Sequence, residues 1–477
     1  MTRTDPDAVV VGSGPNGLVG AVVLAQAGLN VLVLEAADVP GGGLRTEELT
    51  LAGFRHDVCS SVHPLGVASA AFRALGLGRE GLAFAHPDIP LAHPLDGDEP
   101  ALLHRDLAAT VADLRDEGAG WRRLFGPVVR AGLPLVDTLL APLSRPVAPL
   151  AAARYGISGV LPATTVARTR LTGTRSRALL GGLAAHSMLD LHAPITAGYG
   201  VLLGALGHLV GWPVAQGGSQ AIADALIARL RSLGGDVLTG HRVAHVDDLP
   251  RARVTLLDVT PRQLLRMAEG RLPARYARAL LRFRYGPGVH KVDWALDGQV
   301  PWRRHEVGAA ATVHLGGTVE EVASAERDVA RGRHPDRPFV LFVQASVADA
   351  TRAPAGRQTA WAYCHVPHGS TVDMTDAIER QVERFAPGFR DRVLARHVMG
   401  PAALEAHNAN EIGGDIGGGA ADLRQLIARP VLSPRPWATP LPGLYLCSAS
   451  TPPGAGVHGM GGWHAARLAL RRLGITP

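Results

Sequence analysis

Lysine is nearly missing from this chain: of 48 basic residues 47 are arginine, and Lys291 stands alone. Cysteine is scarce as well, with Cys59, Cys364 and Cys447 far apart and no CxxC pair among them. That pattern excludes a disulfide-stapled secreted domain and a dithiol redox motif, and predicts a reducing, cytoplasmic compartment. Aromatic residues make up only 5%. The arginines are scattered rather than gathered into a basic, aromatic-studded strip, so no nucleic-acid partner is expected. The net charge of +6 reads as an arginine-biased surface that attracts anionic substrates or an anionic membrane face. Long apolar runs are absent too. The most apolar interior stretch, residues 133–153, is broken by four prolines and Arg145, short of the roughly 20 apolar residues a membrane span needs. It suits a lid or an entrance that touches a membrane from one side. No His, Cys or carboxylate cluster has metal-ligand spacing, so no metal is expected. The N-terminus shows no charged leader followed by an apolar core, so export is not expected.

What is present is a long globular chain. Its 477 residues, 47% hydrophobic and 19% charged, suggest two or three domains with a large interior. Residues 8–35 read as strand, helix, strand around GSGPNG. Gly12 permits a tight turn out of the first strand, Gly14 lets backbone approach a pyrophosphate, and Gly17 allows close packing of helix on sheet. The helix N-terminus, opened by Pro15 and Asn16, offers N–H groups and positive potential to phosphates. Glu35 follows at the end of the second strand, where its carboxylate can accept both ribose hydroxyls and disfavour a 2′-phosphate. Just beyond it, PGGGLRT supplies a flat glycine loop and the donor fork of Arg45.

The C-terminal stretch LYLCSASTPPGAGVHGMGGWHAA reads as a strand, a glycine- and proline-rich turn and a second helix. Its N-terminus would point at an isoalloxazine and stabilise the anionic reduced form. Convergence of both chain ends on one cofactor favours FAD over NAD.

The combination of GSGPNG, Glu35, GGGLRT, GWPVAQGGSQAIADAL and PGAGVHGMGG resembles the phytoene desaturase and carotenoid isomerase family of FAD enzymes. DVTPRQLL, YGPGVHKVDWAL and TVHLGG resemble its phytoene dehydrogenase-like bacterial branch. The resemblance implies an α/β fold: a Rossmann-like FAD-binding domain of the glutathione-reductase type, with an α+β substrate domain on a mostly antiparallel sheet. The FAD-binding domain would comprise residues 1–85, 206–275 and 431–477; the substrate domain would have a helical part, 86–205, and a sheet part, 276–430. Carried over residue by residue, Gly12, Gly14, Pro15, Asn16 and Gly17 would cradle the pyrophosphate and Glu35 would take the ribose. Gly42, Gly43, Leu44 and Arg45 would line the path to the flavin, Val243 would meet the adenine, and Ser450, Gly459 and Met460 would lie beside the pyrophosphate and the ring. The SAS turn at 448–450 and Pro452 depart from the family pattern, which weighs against a carotenoid substrate.

In an alternating strand His290, Val292, Trp294 and Leu296 share one face, and Lys291, Asp293 and Ala295 the other. With Trp294 in the core, Lys291 points to the opposite side. A buried lysine can lose and relay a proton, which arginine cannot. Distant amine-oxidase relatives place a lysine on such a strand, holding a water at flavin N5, and the same role is expected of Lys291; a lysine paired with Asp293 is the alternative. His458, at the start of the last helix, is a second candidate for contact with substrate or flavin, and a local hydrogen-bonding role is its alternative. The expected activity is desaturation or oxidation of an apolar organic molecule, with electrons passing to oxygen, a quinone or another acceptor. A redox-neutral double-bond isomerase and a non-catalytic FAD-binding interaction protein stay open.

Overall fold

A computed structural model describes residues 5–97, 99–142 and 146–476. Two sheets organise them. The first has five strands in the order Leu444–Leu446, Val254–Leu257, Ala8–Val11, Val31–Leu34, Asp236–Leu238, all parallel. Its central strand, AVVV, is buried throughout, as expected when helices cover both faces of a parallel sheet and no side chain needs to meet water. The helix Pro15–Gln26 begins with proline at its first turn, where the missing N–H costs nothing. Gly28, at φ +86°, lets the chain leave that helix in a left-handed conformation closed to most residues. The strands of this sheet come from three separated stretches of chain.

The second sheet has seven strands in the order Val393–Met399, Gly288–Leu296, Gln358–Val366, Val340–Val343, Ala310–Leu315, Ile89–His93, Ala101–Leu103. It is mixed, which corrects the expectation of a mostly antiparallel sheet: Ala310–Leu315 runs parallel to Ile89–His93. That pair joins two distant parts of the chain, and a partner arriving through a long connection is free of the antiparallel constraint a hairpin imposes. Apart from Ile89–His93 and Ala101–Leu103, the regular elements of residues 86–205 are helices, with a bundle that includes Thr174–Ala185 and Thr196–Leu209 packed over the sheet. The strand Val393–Met399 escaped the sequence reading because Leu394 and Val398 share its outer face with Arg396, so apolar and polar residues do not alternate along it. It is an edge strand whose residues alternate between half-buried and exposed.

Hydrophobic residues on the two faces of the second sheet belong to different clusters. Val292, Trp294 and Leu296 pack with Phe342 and Phe389 on one side; Trp361, Tyr363 and Met399 pack on the other. Among the described residues no helix is long and apolar enough to cross a membrane.

Candidate functional site

A cavity of about 1440 Å3 runs between the two sheets, larger than the several hundred Å3 typical of a pocket for one small ligand. One arm is walled by the glycine loop, the other by apolar and aromatic side chains from the helical bundle and second sheet.

In the first arm, Gly12, Gly14, Pro15 and Asn16 form the wall beside Glu35. The Glu35 carboxylate accepts from the Ser13 backbone N–H at 2.8 Å and its hydroxyl at 2.6 Å, and from the Ala37 N–H at 2.8 Å. Strand end and glycine loop are thereby tied through one acid. Gly42 leans against the loop so closely that a Cβ on it would lie 3.1 Å from the Gly14 Cα. Arg45 donates to the Gly42 carbonyl at 3.1 Å and to the His407 carbonyl at 2.6 Å, which holds its guanidinium at the cavity wall. Gly43, Val243 and Ser450 also line the cavity.

Other expected contacts stand behind this wall. Gly17 packs under Gly12, Leu44 is fully buried in the core, and Met460 is core as well. Gly459 presses on Val19 and Phe72. The start of the last helix, Met460–Arg472, lies next to the first: the Gly461 N–H donates to the Asn16 side-chain carbonyl at 3.1 Å. The two chain ends do converge. The turn preceding the second helix, through Val457, is what faces the cavity. His458 is buried behind that turn and its Nδ1 accepts from the Met460 N–H at 3.0 Å, a local cap. Burial, with His464 nearby, brings its pKa down to about 4.

Lys291 also lies one layer behind the cavity. Its ammonium, 2% exposed, donates to Asp293 and sits 5.1 Å from the centre of the Trp361 ring, and Trp361 itself lines the cavity. The pair continues into a buried polar network. His56 Nδ1 is 3.6 Å from Asp293, and the neighbouring Asp57 is bridged at 2.9 Å by Arg352, which also holds Asp349 at 2.9 Å. Burial alone would raise the Asp57 pKa, but Arg352 and hydrogen bonds from Ser219, Ser61 and Thr46 hold it below the usual carboxylate range.

Among the acids of the cavity wall missed in the sequence are Asp258, Glu411 and Asp415. Asp258, at the end of Val254–Leu257, accepts from the Gly17 N–H at 2.8 Å, and a Cβ on Gly14 would lie 2.6 Å from its Oδ2. Burial, opposed by that N–H and aided by Glu35, raises its pKa to about 7. An acid closing an apolar strand was the signal read at Glu35, and VTLLD repeats it. Glu411 and Asp415 lie in the loop after Pro401–His407, where no periodicity marks them.

The second arm is walled by residues such as Leu139, Tyr199, Leu202, Trp212, Trp361 and Tyr363. His186, which lines the cavity beside Trp212, is held neutral by burial and by His365, with a pKa of about 3. The side chains named for this arm are uncharged, and Arg429, which lines the same cavity, lies within electrostatic reach of Tyr199. Among the described residues no cluster of His, Cys, Asp and Glu is arranged to hold a metal.

A family model described as an NAD(P)-binding Rossmann-like domain matches residues 10–75. Along nearly its whole length the chain is similar to pyridine nucleotide-disulfide oxidoreductase domain-containing protein 2 of Mus musculus, 28% identical over 99% of this chain and 94% of the relative. Likeness to a desaturase is confined to a short stretch: 50% identity with hydroxyneurosporene desaturase of Cereibacter sphaeroides covers 10% of this chain and 9% of that one. Among solved structures, an oxidoreductase from Methanosarcina mazei superposes with a TM-score of 0.65 at 15% identity, covering 97% of this chain and 99% of that chain. Putrescine oxidase bound to putrescine superposes with 0.61 at 18%, covering 99% of each. At these identities the likeness is one of fold. The chain therefore carries a dinucleotide-binding Rossmann-like domain inside a two-sheet fold that it shares with oxidoreductases.

Proposed function

We propose that this protein is an FAD-dependent oxidoreductase that desaturates or oxidises a mainly apolar organic molecule and passes the electrons to oxygen, a quinone or another acceptor. One observation carries the reading: a single cavity joins an arm suited to a dinucleotide with an arm suited to a mainly apolar partner. The residues fit FAD. The glycine loop and the Gly42 turn form a cradle that side chains would fill, Glu35 closes it with an acid at the ribose position, and the turn before Met460 approaches from the other chain end. The glutathione-reductase type of this domain is part of the same proposal. When bound, FAD would supply a hydride acceptor. The chain's own contribution is to hold the dinucleotide by its backbone, to exclude water with Trp361, Tyr363 and Trp212, and to align the substrate against the acceptor.

Lys291 and His458 enter this proposal as positioning residues. Lys291 would act through Trp361, over which its charge lies, and His458 through the turn at Gly456. The rim supports contact with a membrane face. Helix Pro149–Gly159 and residues 423–436 both contribute to the cavity wall, and they expose Leu150 (81%) and Leu432 (80%) beside Arg154 and Arg435. Apolar side chains flanked by arginines suit the surface of an anionic bilayer, from which an apolar molecule can enter directly.

Purified protein should be yellow and bind FAD stoichiometrically. Anaerobic mixing with its apolar organic substrate should bleach the flavin without added reductant. Protein that stays colourless when FAD is supplied would overturn the reading. Turnover that requires prereduced flavin, with no net change in its redox state, would replace oxidation with double-bond isomerisation.

A further inference from the structure

The two arms of the cavity meet at Glu411. Its carboxylate faces Gly43, where a Cβ would come 3.9 Å from Oε1 and 3.7 Å from the Cys59 sulfur. Gly43 belongs to the loop of the dinucleotide arm, whereas Cys59 lines the cavity within electrostatic reach of Tyr363 in the apolar arm. The residue is 5% exposed. Asn408 donates to Oε1 at 3.1 Å and the Cys59 thiol adjoins the same carboxyl, while Oε2 has no partner among the described residues. A buried carboxyl oxygen left open at the wall of a cavity is costly unless a ligand or a proton satisfies it.

We propose that Glu411 is the proton acceptor of this site, taking up a proton each time electrons enter the cofactor. The inference rests on the FAD reading above and extends it to the second hydrogen of a desaturation. Two C–H bonds of the substrate break and a C=C bond forms. One hydrogen leaves with its electron pair for the oxidised flavin, which is reduced; the other leaves as a proton for the open Oε2 of Glu411.

The surroundings favour this division. Burial, with Asp415 adding and Cys59, Asn408 and Arg45 opposing, raises the Glu411 pKa to about 7. An acid poised near neutrality can accept a proton and release it again at working pH. Arg45 is the cation that faces it, and its side chain is already engaged by the carbonyls of Gly42 and His407. Negative charge arriving on the cofactor raises the affinity of Glu411 for its proton further, so electron and proton uptake are linked.

Dithionite titration of the FAD-loaded protein tests this without a substrate. The slope of a two-electron midpoint potential against pH counts the protons taken up with the electrons. Between about pH 7.5 and about pH 9, wild type should take up two, one on the flavin and one on Glu411. Glu411→Gln should take up one, halving the slope, and Glu411→Asp, which keeps a carboxyl, should retain the wild-type slope. A second readout needs no flavin. Cys59 is the half-buried thiol of the three, Cys364 and Cys447 being fully buried. Because Glu411 helps raise the pKa of Cys59, iodoacetamide should label Cys59 at lower pH in Glu411→Gln than in wild type. A yellow Glu411→Gln protein with the wild-type slope overturns the inference alone, as does an unchanged labelling profile. Protein that binds no FAD overturns the FAD reading and this inference with it.

Discussion

Lys291 occupies a place that tolerates few residues. Its neighbours across the strand are Tyr363 and Met399, and the acceptor beside it is the buried carboxylate of Asp293, whose pKa burial pushes up and Lys291 pulls back. An arginine would bring five donors into a space that presents one carboxylate, which accounts for the single exception in an arginine-only chain. Removing one member of a buried pair leaves the other charge without compensation. Lys291→Met should therefore lower unfolding free energy by about 3–5 kcal/mol in urea titrations, and Lys291→Met combined with Asp293→Leu should recover much of the loss. A shift below about 1 kcal/mol in the single variant would show that the pair does not hold the fold. In the FAD-loaded single variant, slower flavin reduction by substrate with FAD content retained would support the positioning role; an unchanged rate would remove it. At this scale the sequence singled out the lysine and named Asp293 as its alternative partner, but it did not disclose that both faces of the strand are buried.

The elements that matter most are the two glycine-bearing helices, Pro15–Gln26 and Met460–Arg472. They cross so tightly that a Cβ on Gly462 would run into the Asn16 carbonyl, and a Cβ on Gly20 would lie 3.4 Å from the Gly462 carbonyl oxygen. Small residues at both crossing points bring the helix starts together, and the Gly461 to Asn16 hydrogen bond fixes the result. Gly462→Ala should push the helices apart at a cost of about 1–3 kcal/mol, the range for overpacking. It should also displace the Asn16 turn, so differential scanning calorimetry should show a lower Tm and the purified variant should retain less FAD. Full FAD content with an unchanged Tm would mean that the crossing has slack. MGGWHAARLALRR reads as a helix from its sequence, and both glycines are visible in it. What they are for becomes legible only when the partner helix, more than 400 positions earlier, is in place.

The whole molecule brings together acids that the chain keeps far apart, and this sets a pH dependence. Asp258 lies 241 positions from the Gly17 N–H it accepts. Its pKa in the folded protein, about 7, is above its ordinary value of 3.8. The neutral form is thus favoured by folding: its contribution to stability is complete below about pH 4 and is lost as pH rises through about 7. A diphosphate on the same loop would raise that pKa further, so FAD should bind more weakly as pH climbs above about 7, by at most tenfold per pH unit for one proton. Fluorescence titration with FAD between about pH 6 and about pH 9 measures this, and Asp258→Asn, which keeps an acceptor for Gly17, should flatten the profile. An identical slope in both proteins would assign the effect elsewhere. At the same scale, the rim predicts sedimentation with vesicles containing anionic lipid, falling several-fold in the Leu150→Glu, Leu432→Glu double variant and unaffected by the variant's cofactor content. The apolar stretch 133–153 contributes to this rim, although residues 143–145 lie outside those described.

The sequence by itself determined the dinucleotide cradle, because a strand, a glycine turn, a helix start and an acid at the next strand's end lie within about 30 residues and act through local backbone geometry. It also determined which face of Gly288–Leu296 carries Lys291, since side chains alternate along any strand. Only the tertiary structure decided that this face is buried, that the seven-stranded sheet is mixed, and that Glu411 and Asp258 stand in the cavity wall. Each of those depends on contacts between residues far apart in the chain, and burial, which sets the protonation of an acid, exists only after those contacts have formed.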